Sequence, residues 1–272
     1  GVSVLDEAIK LPKMQPIKAV IHREITGTIK SITVSRSACG QYYASILADD
    51  GLALPEPIKT IDSVVGIDLG LTHFAIRSDG IKIANPRFVA RAQANLRRKQ
   101  RQLSRKQKGS RNRAKARLLV AKCHEKTANA RADFQHQLSR TLIDENQAVI
   151  VETLKSANMM KNRHLAKAIG DAGWHGFVVK LGYKAKAEGK HLVKIDQWVA
   201  SSKTCHHCKH KLDNLPLNIR SWCCPKCQTI HDRDTNAAIN IENEGILKLK
   251  AAGLVVTACG GVRKSSVFGV AA

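Results

Sequence analysis

Four cysteines late in the chain form two Cys-x-x-Cys pairs, Cys205/Cys208 and Cys224/Cys227, separated by fifteen residues. Pairs at this spacing supply four thiolates to a tetrahedral zinc ion, and a shell filled by four cysteines leaves no position for a substrate, so its role is structural. His206, His207 and His210 lie among them as rival ligands, but the pairing favours the cysteines. Six residues separate Cys227 from Asp234, and two more acids end apolar runs: Asp68 in Val64-Val-Gly-Ile-Asp-Leu and Glu152 in Ala148-Val-Ile-Val-Glu. If Asp68, Glu152 and Asp234 converge, they stay ionised together only around cations, which implies Mg²⁺ or Mn²⁺. Two such ions about 3.5–4 Å apart clamp the attacking water and the leaving oxygen of a phosphodiester, so the expected reaction is hydrolysis. His231 reads equally as a further ligand or proton carrier and as a surface residue on the way out of the ribbon. Asp232 is a rival to Asp234 for the third position.

The elements that must position these groups follow from residue patterns. Thr28-Ile-Lys-Ser-Ile-Thr-Val and Gln41-Tyr-Tyr-Ala-Ser-Ile-Leu flank a Ser-Ala-Cys-Gly turn and predict a hairpin. Leu54-Pro-Glu-Pro restricts the backbone and places a boundary near residue 60. Val64–Leu69 predicts a buried strand, followed by a strand at Thr72–Arg77, an Asp79-Gly80 turn and a third strand from Ile81. Residues 88–145 read as a helical hairpin, with Phe134, Leu138 and Leu142 at steps of four and a break at Lys108-Gly-Ser110. Then come a strand at 148–152, a helix from about 165 to 188, a strand at 191–196, and a final helix capped by Asp234 and running to about 251. The order β-β-β-α-β-α-β-α is the ribonuclease H-like α/β arrangement, in which two parallel strands extend three antiparallel ones and helices cover the faces. There the ends of strands one and four are neighbours, so Asp68 and Glu152 meet. The expected organisation is a β-rich segment at 1–60, the nuclease-like core at 61–200 carrying the helical hairpin, a zinc ribbon at 201–230, and the last helix and tail at 231–272.

The charge points the same way. With 45 Lys and Arg against 22 Asp and Glu, the 272-residue chain carries a formal +23, and its pI is about 10.0, which favours a polyanionic partner. Between 91 and 131 fifteen basic residues face one acid, Glu125. Such density repels itself unless phosphates neutralise it. Arg97, Arg98, Lys99, Arg101, Arg105, Lys106, Arg111 and Arg113 are the expected nucleic-acid contacts, to backbone rather than base because aromatics are nearly absent there. The remaining cysteines, Cys39, Cys123, Cys223 and Cys259, are scattered singly, and nothing supports the oxidising compartment that disulfides need. There is no signal-like N-terminus and no run of eighteen apolar residues, so neither export nor a membrane partner is expected.

These residues resemble the transposon-encoded TnpB/OrfB proteins, compact RNA-guided DNA nucleases. Gly66-Ile-Asp-Leu-Gly70 is similar to the first RuvC motif of that family, Val149-Ile-Val-Glu-Thr-Leu154 to the second, and Asp232-Arg-Asp-Thr-Asn-Ala-Ala-Ile-Asn240 to the third. Met159-Met-Lys-Asn162, Leu165-Ala-Lys-Ala, Asp171-Ala-Gly-Trp174 and Ser201-Ser-Lys-Thr-Cys205 also match family signatures. The resemblance implies catalytic positions at Asp68, Glu152 and Asp234, zinc positions at the four cysteines, and a prokaryotic cytosolic or nucleoid setting. It further implies partners in target DNA and a transposon-derived guide RNA, whose base pairing reads the target. Lys209 and Gln228 stand where the family usually has glycines after each Cys-x-x-Cys, and Thr153 replaces an acidic or amide residue. Relatives carry a long region ahead of the hairpin, so the chain is expected to be an N-terminally truncated copy, the hairpin being the remnant of that part. The rival expectation is a derived RNA- or DNA-binding protein that does not cut.

Overall fold

The computed structural model describes residues 1–216 and 218–258; Cys259 and the expected tail to 272 lie outside them. The chain divides into two compact units, Gly1–Leu54 with Ala92–Asn129, and Pro55–Arg91 with the residues from Ala130 onward.

In the first unit, three short strands, β1 (Ser3–Leu5), β2 (Ala8–Lys10) and β3 (Ile17–Lys18), form a small antiparallel sheet that the sequence reading did not foresee. The expected hairpin is present as β4 (Thr28–Arg36) and β5 (Tyr42–Asp49). Its turn is closed by the Ser37 N–H to Gln41 O, with Gly40 at φ +83 supplying the left-handed residue. The unit also holds most of the basic hairpin, built from α1 (Phe88–Ser104) and α2 (Arg111–Glu145), two helices that begin or end in the second unit.

The second unit opens with β6 (Thr60–Ile61), then β7 (Val64–Leu69), β8 (His73–Arg77) and β9 (Lys82–Ala84). After the helical hairpin come β10 (Ala148–Glu152), the short α3 (Ser156–Met159), α4 (Ala166–Ala172), α5 (Trp174–Ala187) and β11 (His191–Ile195). The ribbon strands β12 (Ser221–Cys223) and β13 (Ile230–Asp232) lead into α6 (Arg233–Ala251), and β14 (Val255–Val256) returns to pair with β6. The five-stranded sheet runs β11-β10-β7-β8-β9, with β7, β8 and β9 antiparallel and β10 and β11 parallel to β7. This is the ribonuclease H-like order expected from the sequence.

Both faces of the sheet are covered, which explains why β10 is an almost unbroken apolar run. On one face Phe74 meets Phe134 and Phe177 edge-on, each at 5.1 Å, among Leu142, Ile143 and Leu181. On the other face α6 lies against β7, β10 and β11, with Ile150, Ile195 and Ile241 in the layer between. Glycine makes that approach possible. A Cβ on Gly66 would collide with the Ala238 carbonyl oxygen and reach the Glu242 nitrogen at 2.7 Å, and one on Gly245 would strike the Ile150 side chain. Gly66 of the Gly-Ile-Asp-Leu-Gly motif is thus a packing residue that seats α6 behind Asp68.

Two expectations need correction. The single helix expected over 165–188 is two, α4 and α5, because Gly173 adopts φ +63 and ends α4 in the left-handed conformation. The carbonyls freed there are taken by α2: Gln135 Nε2 donates to Ala172 O and Gly173 O, and Arg131 Nη1 to Gly170 O. The buried Asp171 carboxylate in turn accepts the Val89 N–H at the start of α1. The cap of α6 is also not Asp234 but Asp232, whose side chain accepts the Thr235 N–H at 3.0 Å.

Candidate active site and metal centre

β7 and β10 are parallel neighbours in register, Ile67 opposite Val151, so Asp68 and Glu152 leave the sheet side by side. There the two carboxyls act on each other's ionisation, and the Leu69 backbone works to lower that of Glu152. Burial pushes the Asp68 carboxyl up to about 8, aided by the charges of Glu152 and Asp234 and opposed by Arg233. Glu152 is raised too, chiefly by burial. The pair therefore retains a proton at neutral pH unless a cation takes its place. Thr153 donates from Oγ1 to Ile195 O at 2.6 Å, fixing the end of β10 to that of β11.

Asp234 sits in the first turn of α6, close enough for its charge to act on Asp68. Its Oδ1 lies 3.4 Å from Arg220 Nη1. The three carboxylates are spread more widely than a single-ion shell. Among the described residues, the group of His, Cys, Asp or Glu whose ligand atoms all lie within 4.8 Å of one another is the four cysteines. Asp232 is committed elsewhere: besides capping α6 it pairs with Lys82 at 2.6 Å, and these bonds outweigh burial to hold its carboxyl below the usual range.

In the ribbon, Cys205 and Cys227 have their sulfurs 3.6 Å apart, as do Cys208 and Cys224. A tetrahedron with metal–sulfur bonds of about 2.3 Å has edges of about 3.8 Å, so the four thiols have the shape of a zinc shell. Hydrogen bonds from Thr229 pull the Cys227 thiol down to about 6. The His210 N–H acts the same way on Cys208, but burial and the other three thiols prevail and push it up to about 12. Neither His206, His207 nor His210 joins the cluster.

His231 is not a surface residue. It is buried in the ribbon with Nε2 3.1 Å from Cys205 Sγ, packed against Trp222 at 4.5 Å and His206 at 4.7 Å. A hydrogen bond to a ligand sulfur of this kind tunes and orients the shell. Sequence reasoning also passed over Asn236 and Asn240, although their i, i+4 spacing puts them on one face of α6. Both donate from Nδ2 to Ser201 O and Thr204 O, and Asn236 Oδ1 accepts the His206 N–H at 3.0 Å. The first knuckle is thereby fastened to the helix that carries Asp234.

Both knuckle turns contain a side chain where the backbone wants glycine, Lys209 at φ +61 and Gln228 at φ +60. The left-handed conformation costs a residue with Cβ roughly 1–2 kcal/mol, partly offset by the greater freedom of glycine in the unfolded chain. Lys209→Gly and Gln228→Gly should each stabilise the folded ribbon by up to about 1 kcal/mol. The reading is a later midpoint when a chelator strips the metal-loaded chain, and an unchanged midpoint would mean the side chains compensate for the strain.

Along the basic arm Arg97, Arg98, Arg101, Arg105, Lys106 and Arg111 are exposed and Lys99 is half-buried. Among the described residues none of them pairs with a carboxylate. Arg113 differs, since its Nη1 donates to Leu103 O and Lys106 O and closes the interhelical loop.

Two family models match the chain: OrfB_IS605, described as a probable transposase, over residues 46–163, and the Cas12f1-like TNB domain over residues 174–241. A candidate RNA-guided DNA endonuclease of Streptomyces pristinaespiralis is 45% identical over 234 residues, 86% of this chain and 55% of the relative. Residues 46–163 thus resemble a transposase family, and the chain is similar to relatives named as RNA-guided DNA endonucleases or as TnpB-like. Escherichia coli K12 InsQ, also named a candidate RNA-guided DNA endonuclease, is 30% identical over 93% of this chain and 63% of its own length. The chain thus spans 55% and 63% of the length of these two relatives. The Cas12f1 protein solved by cryo-EM with sgRNA and target DNA shares the fold, with a TM-score of 0.50 and 20% identity over 70% of this chain and 40% of that one. No helix among the described residues is long and apolar enough to cross a membrane.

Proposed function

We propose that this chain is the nuclease portion of a metal-dependent, RNA-guided DNA endonuclease of a mobile element. The observation that carries the reading is the juxtaposition of Asp68 and Glu152 at the adjoining ends of β7 and β10, with Asp234 brought within charge range by α6. Asp68, Glu152 and Asp234 would hold two divalent cations, Mg²⁺ or Mn²⁺. When bound, these supply charge stabilisation to an attacking water and a leaving phosphodiester oxygen. The protein contributes a pair of carboxylates whose shared proton is displaced on loading, an α6 fixed by the Gly66 contact, and Arg220 within reach of the same phosphate path. Cys205, Cys208, Cys224 and Cys227 would bind one structural zinc. A guide RNA and target DNA as partners, and a prokaryotic cytosolic or nucleoid setting, rest on the named activity of the relatives. The test is to purify the chain with its nucleic acid, sequence any bound RNA and supply Mg²⁺ with a guide-matched duplex. Guide-dependent cutting is expected, and absence of both bound RNA and cutting would sink the reading.

The unpaired charges of the arm would carry nucleic-acid affinity through phosphates. If about six of them engage duplex DNA, log affinity should fall with log salt at a slope of about −5. Neutralising Arg97, Arg98, Lys99 and Arg101 together should weaken binding alike for all sequences and flatten that slope. A slope that does not change would make the arm a solvated face.

A further inference from the structure

Beside Glu152 a cavity of about 630 Å³ opens under α5 and the segment that follows β10. Its apolar wall includes Leu154, Met160, Trp174 and Val178, and Lys155 and Lys194 stand at its lining. Its place in the sheet is not arbitrary. From β7 the chain runs outward to β8 and β9 and then returns to place β10 on the other side of β7, so the boundary between β7 and β10 is the switch point where open α/β sheets hold ligands beyond their strand ends. Leu69 and Glu152, one from each of these strands, both line the cavity.

We propose that this cavity is a nucleotide subsite, taking one base of the DNA strand being cut with its flanking phosphate toward Lys155 and Lys194. The proposal rests on the nuclease reading and adds to it a specific seat for the nucleotide next to the scissile bond. The volume exceeds that of one nucleotide, and its wall is formed by Leu154, Met160 and Val178 with only 3% of Trp174 exposed, an apolar surface against which a base of any sequence can pack. Lys155 and Lys194 are the amines on that wall, beside His175, and Glu152 is its carboxylate, next to which a phosphodiester would sit only with a metal ion between. An apolar metabolite would need no pair of lysines, and a phosphate alone would need no apolar wall.

The experiment uses single-stranded DNA carrying 5-iodouracil at successive positions, bound to the full chain in Ca²⁺ to hold it uncut and then irradiated. Crosslinks from one nucleotide position to residues 154–160 or 174–178 are expected, and crosslinks confined to the basic arm would overturn the proposal. In Mg²⁺, an abasic nucleotide at that same position should raise KM by about 5- to 150-fold, the range for loss of one packed base, with kcat little changed. Ala157→Trp, at the rim of the cavity, should raise KM similarly on intact DNA but have no further effect on the abasic strand. Additive losses would place the base elsewhere. A chain that crosslinks through the cavity but does not cut refutes the nuclease reading and keeps the subsite, whereas one that cuts without such crosslinks does the reverse.

Discussion

Cys205→Ser should lower the zinc content of the purified chain from one ion to none and unfold the ribbon. Cys205 is fully buried and is the ligand that His231 touches from behind, so serine loses a thiolate and leaves the imidazole facing a hydroxyl. Without metal Cys227 is the thiol that ionises most readily, and a close-packed cluster of cysteines carries little of the folding free energy that a thiolate–zinc shell supplies. The damage should not stop at the ribbon. Asn236 and Asn240 spend their amide protons on Ser201 and Thr204, and if the knuckle melts those donors and the first turn of α6 lose their partners. Asp234 lies in that turn. Elemental analysis, together with circular dichroism before and after chelation, measures the effect. Full zinc content in the variant would mean that the cysteines do not form the shell, and native-like spectra after stripping would mean that the ribbon does not depend on it.

What the sequence disclosed depended on how local the cause was. Asp68 and Glu152 could be found because each ends an apolar run of strand length, and strand order then brings them together without knowledge of any side-chain contact. The cysteines were legible from spacing alone. The break at Gly173 was not, since residues on both sides favour helix and the cause is tertiary: Gln135 and Arg131, far back on α2, accept the cost of ending α4 there by bonding its carbonyls. His231 was ambiguous for the same reason, its partner Cys205 being 26 residues away. The choice of cap between Asp232 and Asp234 could not be made from two acids in the same turn, whereas Lys82, brought in by β9, fixes it. Strands of two or three residues, such as β3, β6 and β14, offer too few positions for an alternation to register.

Asp68→Ala should abolish cutting while leaving nucleic-acid binding largely intact. If Asp68 holds one of the two proposed cations, its loss would remove support for an activated water or a leaving oxygen, several kcal/mol of transition-state stabilisation, and hence orders of magnitude in rate. On the proposed role of the arm, affinity would rest on its exposed arginines and lysines, so it should change little. The protonation of the pair gives the prediction a second arm. Asp68 has a folded pKa of about 8, far above that of an unfolded aspartate, so the metal-free folded state binds the extra proton. Its stability is therefore greatest at low pH and declines as pH rises from the unfolded value toward 8. Asp68→Asn, which keeps the shape and cannot ionise, should remove that decline, and the metal-free variant should melt above the metal-free wild type at pH 8. Metal affinity in the wild type should rise with pH over the same window, because the cation must displace the proton. The measurements are Mg²⁺-dependent cleavage of single-stranded and guide-matched DNA at equal occupancy, and melting of the stripped proteins across pH. Equal cutting by wild type and Asp68→Ala would refute the assigned site. Tight binding with no cutting by either would make the chain a nucleic-acid binding protein, and identical pH profiles of wild type and Asp68→Asn would mean that the buried proton is not on Asp68.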